Sequence, residues 1–154
     1  MSLPNTIPQQ IIEALASHAL ELGHFDAVNQ HEPKSAPGNG LSCSIWVNSL
    51  GPASSGLVAT SARLECSIRL YSNMLQEPQD MIDPNLMAAV WDLMVAYSGD
   101  LDLGITDIRS IDLLGAEGDP LRAEGGYIDV DRKMYRVMTI SIGIVINDAF
   151  TQSR

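Results

Sequence analysis

Basic residues are scarce in this 154-residue chain: 9 Lys and Arg stand against 19 Asp and Glu, a net charge of -10. That excess repels polyanions, which argues against a general nucleic-acid binder or a protein of anionic membrane surfaces. It leaves room for an acidic wall past which DNA slides without sticking. Cysteine is nearly missing. Cys43 and Cys66 cannot form a disulfide framework in a domain of this size. No apolar run approaches the ~20 residues that span a bilayer. The start, Met1 to Asn5, lacks a basic segment followed by an apolar one, so it does not read as a secretory signal. A cytoplasmic site of synthesis and assembly is expected. His18, His24 and His31 sit at no zinc spacing, and neither His-Glu-x-x-His nor Cys-x-x-Cys occurs. Glycines 115, 118, 125 and 126 are not followed by Lys-Ser/Thr, so no phosphate loop is written here. No catalytic residue, metal or cofactor is expected. What the chain does have is 45% apolar residues in 16.6 kDa, enough to bury one core, so residues 1–154 read as a single domain.

Hydrophobic periodicity gives the elements. Ile11, Ile12, Leu15, Ala19 and Leu22 recur at helical spacing. Thr6 with Gln9 fits a capping box, and Gly23 is placed to end the helix. Residues 32–40 and 51–56 are rich in Pro, Gly and Ser and read as loops. Between and after them apolar and polar residues alternate. Leu41 to Val47 form one strand. Ala59 to Tyr71 form another, with Leu64, Cys66, Ile68 and Leu70 inward and a charged face (Arg63, Glu65, Arg69) expected to be wet or partnered. Asp83-Pro84 reads as the N-cap and first position of a second helix, with a buried stripe of Met87, Val90, Trp91, Met94 and Tyr97. Ile108 to Leu113 follow as a strand. A hairpin closes the chain: Leu121–Val130, a turn at Asp131-Arg132-Lys133, and Met134–Asn147, with Met138, Ile140, Ile142, Ile144 and Ile146 on one face and smaller residues on the other. Strands in runs between two helices predict an α+β fold, a mostly antiparallel or mixed sheet with both helices on one face.

Side chains that could do chemistry have plainer readings. Cys43 and Cys66 fall on apolar strand faces and read as buried thiols. Asp100, Asp102 and Asp107 lack the glutamate that closes a calcium loop and read as a solvated acidic turn. His24 with Asp26 is the only sketch of a hydrolase, and in an extended segment those two side chains diverge. Charge placement says more. Every charge from Glu77 to Asp107 is acidic, whereas Arg122, Arg132, Lys133 and Arg136 gather on the hairpin. A basic hairpin can reach the acidic region of a neighbouring copy, and such head-to-tail contacts can close into a ring. Arg63, Arg69, Arg122, Arg132, Lys133 and Arg136 are the expected interface residues.

Several segments give the chain a resemblance to the tail terminator (tail-completion) proteins of long-tailed bacteriophages. They are Leu22 to Val28, Asn29 to Pro37, Ile68 to Met74, the helix opened by Asp83-Pro84, Ile111 to Gly115, Gly126 to Asp129, Tyr135 to Thr139 and Ile146 to Asp148. The resemblance covers most of the chain and is one of pattern, element order and size. It implies a non-enzymatic virion protein at the head-proximal end of the tail. Six copies would form a ring that caps the tail tube, stops its polymerisation and offers the surface that joins the head. The implied partners are sister copies, the tail tube protein and the head–tail connector. DNA would pass through the lumen without specific binding, and no membrane is involved. A neighbouring connector or head-completion role is the alternative of the same class.

Overall fold

The computed structural model describes residues 6–32, 40–54, 59–74 and 79–151. Helix α1 (Ile7–Leu22) starts as its sequence dictates. Extended Thr6 accepts the Gln9 N–H at 3.3 Å, Pro8 lies in the first turn, and left-handed Gly23 (φ 72°) ends it. Strands β1 (Ala27–Asn29), β2 (Ser42–Ala53) and β3 (Ala59–Asn73) follow. A 3-10 turn (Gln79–Met81) leads into α2 (Ile82–Ser98), and β4 (Ile108–Ile111), β5 (Arg122–Val130) and β6 (Lys133–Thr151) complete the chain.

The sheet is mixed. β1 runs parallel to β2, and every other pairing is antiparallel. β6 is its spine. One edge of β6 carries β3, and the other is shared by β5 along residues 133–141 and β4 along 144–146. The outermost positions are β1 with the far half of β2 on one side, and β4 and β5 on the other. Both helices lie on one face, where Ile11, Leu15, Leu64, Ile68, Leu86, Leu93, Ile140 and Ile142 share the main core. The fold is α+β, as the strand runs predicted. Among the described residues no helix is long and apolar enough to cross a membrane.

Four details differ from the sequence expectation. β2 continues through Gly51-Pro52-Ala53, with a register shift at Asn48. Proline is tolerated there because β1 pairs only with Ser42–Ser44, leaving this half of β2 an edge. Asp83 is not the N-cap of α2. Met81 holds that position in helical conformation, without a side-chain cap, and the 3-10 turn satisfies the entry instead. The Asp83 carboxylate accepts from Arg136 Nε at 3.0 Å.

The buried stripe of α2 is Ile82, Leu86, Ala89, Val90, Leu93 and Tyr97, rotated from the expected one. Val90 and Tyr97 are buried as expected and Met94 packs against the core, whereas Met87 and Trp91 are 48% and 69% exposed, with Val95 beside them at 58%. The helix is apolar on two sides, so periodicity alone could not choose which side meets the sheet.

The face of the sheet away from the helices is partly covered. Tyr71, Tyr135 and Val137 form a second buried cluster, with Ile128 and Val130 packed against it. The Tyr71 and Tyr135 rings meet edge to face at 6.2 Å. The small residues of β6 on this face leave room for long side chains of β3, most visibly at Gly143, where an added Cβ would collide with the Arg63 guanidinium.

Candidate functional site

The six basic residues fall in three places. Arg63 lies 10% exposed between two glycines, Gly118 and Gly143. Its Nε donates to Asp112 Oδ2 at 3.3 Å, its Nη2 to the Asp119 carbonyl at 2.7 Å, and Glu65 stands 3.5 Å from its Nη1. Asp112 is buried and also accepts the N–H groups of Ala116 at 2.8 Å and Glu117 at 3.0 Å. Burial pushes its carboxyl pKa up. The two backbone donors and Arg63 outweigh that, and the net result lies below the ordinary value. Arg63 and Asp112 thus tie β3 to the loop between β4 and β5, and this Arg works inside the fold. The tied loop presents Leu114, 93% exposed.

Arg69 donates to Thr139 Oγ1 at 2.9 Å and stacks 5.2 Å from the Trp46 ring. With Glu124, Gly126 and Tyr127 it lines a groove of about 330 Å3 beside β5. Arg136 donates to Asp83 and to the Gly126 carbonyl, both at 3.0 Å, beneath the Tyr127 ring. Arg122 pairs with Glu124 at 3.2 Å in an exposed position, where water screens the pair.

That leaves the hairpin tip. β5 and β6 are joined by a two-residue turn, Asp131-Arg132, both residues at positive φ (53° and 66°), the primed geometry that matches strand twist. Arg132 and Lys133 are exposed there, and among the described residues neither forms an ion pair. Met134 beside them is 50% exposed. The hairpin therefore has an occupied base and a free cationic tip.

The acidic stretch is also divided. His24 Nε2 lies 2.8 Å from Asp92 Oδ2, and His18 Nε2 lies 2.9 Å from Asp100 Oδ2. These two pairs clip the α1 region to α2, and the His18 ring meets Tyr97 edge-on at 5.6 Å. His24 thus faces Asp92 rather than Asp26. Asp102 accepts the Gly104 N–H at 2.9 Å and shapes the turn after α2. Glu77 lies outside the described residues, as do residues 33–39 and 55–58 of the two loops. Nothing in the spacing of His18 and Asp100, or of His24 and Asp92, marks them as partners; only the antiparallel helix packing brings them together. Cys43 and Cys66 are buried free thiols whose pKa values burial pushes up to about 12, with Glu65 adding to the effect at Cys66.

Apolar side chains remain uncovered on several sides. Met87, Trp91 and Val95 line the outside of α2, Val47 and Leu50 the open half of β2, and Phe150 the end of β6. Ile7, Pro8, Leu50 and Phe150 border an apolar hollow of about 220 Å3. Exposed apolar side chains thus occur on α2, on the open half of β2 and at the end of β6. Compared with known proteins, the chain matches no protein-family model and no curated protein sequence.

Proposed function

We propose that the chain is a structural virion protein that forms a ring, of six copies, on the head-proximal end of a phage tail tube, ends tube polymerisation and presents the joining surface for the head. The observation that carries this reading is the distribution of uncovered apolar surface. A subunit of such a ring needs a neighbour on each side, a tube below and a connector above. The chain exposes Trp91 and its companions on α2, Val47 and Leu50 on the open half of β2, and Leu114 on a tied loop. The pattern resemblance named above supports the same role. The net charge of -10, repeated around a ring, makes a lumen from which DNA is repelled. Packing supplies most of the adhesion, because exposed ion pairs are screened.

The test is a tube-growth assay. Tail tube protein is polymerised with and without the chain, and tube length is followed by light scattering. A terminator halts elongation at amounts far below one chain per tube subunit. Elongation that continues unchanged at equimolar chain would overturn the proposal.

A further inference from the structure

We propose that the outer stripe of α2 is the seat for the β5–β6 hairpin tip of the next copy. This deepens the ring reading and rests on it. The stripe is Met87, Trp91 and Val95, spaced four residues apart along one side of the helix. Hollows flank it at both ends. One, of about 320 Å3, is bordered by Pro84, Leu86, Met87 and Met138 together with the Asp83–Arg136 pair; the other, of about 300 Å3, by Trp91, Met94 and Val95. Methionine edges adapt to what they receive, and an exposed tryptophan is a frequent centre of binding energy.

Charge chooses the occupant. The stripe is bordered by Asp83 and Asp92, whose side chains are 68% and 47% exposed; Arg136 meets Asp83 through Oδ1 and His24 meets Asp92 through Oδ2, so each carboxylate has its second oxygen left to face a cation. The exposed cations without ion pairs on the hairpin are Arg132 and Lys133, and Met134 beside them supplies an apolar contact. The tip is narrow, a two-residue turn, and so fits a hollow beside a helix.

A copy cannot seat its own tip. Asp83 meets Arg136, and Met87 lies beside Met138, so α2 advances in the same direction as β6. Trp91 and Val95 therefore lie toward the far end of β6 from the turn. Six residue steps lead from Arg132 to Met138, about 20 Å at ~3.3 Å per step. The tip must reach another molecule. Because seat and tip are different surfaces, the contact is head-to-tail and closes into a ring or runs on as a filament.

The test is a disulfide trap in the full chain carrying Val95→Cys and Met134→Cys, which leaves Trp91 in place. Both positions are exposed, and the native thiols are buried and unreactive. Thermal melting checks that each variant folds. Under oxidation the double variant gives a non-reducing gel ladder beyond dimer, which either single variant cannot give. As a second reading, Trp91→Ala weakens self-association at least ~30-fold, the scale of a binding hot spot. No ladder in a chain that still sediments as an oligomer overturns this seat and leaves the ring standing. A cross-link confined to monomer, meaning that the tip reaches its own stripe, overturns it as well. No ladder in a chain that sediments as a monomer and leaves tube growth unchanged overturns both readings.

Discussion

Replacing Asp112 by alanine removes the anchor between β3 and the loop after β4. The carboxylate is buried and accepts three donors: the N–H groups of Ala116 and Glu117 and the guanidinium of Arg63. Deleting it leaves two backbone donors without their acceptor. It also leaves an Arg63 that is only 10% exposed without its main counter-charge. Arg63 keeps the Asp119 carbonyl and the more distant Glu65, so the loss is partial. Breaking one side of a buried pair costs about 3–5 kcal/mol, and the residual partners place this case near the lower end. Asp112→Asn keeps one acceptor oxygen and should cost roughly 2 kcal/mol. The pH dependence follows from the direction of the shift. The folded pKa is below the ordinary 3.8, so the carboxylate's contribution is complete above that value and is lost as pH falls through the folded value. The gap between wild type and Asp112→Asn is therefore constant near neutrality and narrows in acid. Urea unfolding followed by circular dichroism at pH 7 and at pH 3 reads both quantities. An alanine variant within about 0.5 kcal/mol of wild type at pH 7, or a gap that does not shrink in acid, would refute the reasoning.

Other perturbations have definite expected outcomes. Gly143→Ala places a Cβ against the Arg63 guanidinium; Arg63 must leave Asp112, and a loss of about 1–3 kcal/mol should appear in the same urea assay, largely non-additive with Asp112→Ala. Tyr97→Phe removes the hydrogen bond from the buried hydroxyl to the Leu15 carbonyl at 3.1 Å and should cost about 1 kcal/mol in thermal melting. Arg132→Gly relieves a left-handed side chain in the turn, so the melting temperature should rise by the equivalent of about 1 kcal/mol while self-association falls. A thiol reagent at pH 8 should leave folded Cys43 and Cys66 untouched and modify both in urea, because burial holds each pKa near 12; rapid labelling of the folded chain would contradict their burial.

The sequence pattern specified the strands that face the helices. Leu64 to Leu70 and Met138 to Ile146 alternate strictly, and a period of two leaves one way to bury them. The cap at Thr6 and the stop at Gly23 were equally legible, since each is a local hydrogen-bonding need met by a local residue. What was not legible depended on contacts distant in the chain. Within the stripe of α2, Met87 and Trp91 were not separable from Val90 and Tyr97, because they are as apolar as the residues that the sheet covers. The alternation that made Arg63 and Arg69 look solvent-facing did not show that Gly143 and Thr139 of β6 leave space to receive them. Of the expected interface residues, Arg132 and Lys133 stand free at the tip, while Arg63 and Arg136 carry internal bonds. Charge patterning located the basic hairpin but could not separate its base from its tip.

The proposed ring role requires this polypeptide to fit its surfaces to sister copies and to the end of a filament. Negative-stain images of headless tails, purified with and without the chain, decide whether it does. A closed ring of density is expected on one end of each tube when the chain is present, and bare ends when it is absent. Bare ends in both preparations, with the chain remaining a 16.6 kDa monomer in the supernatant, would contradict it.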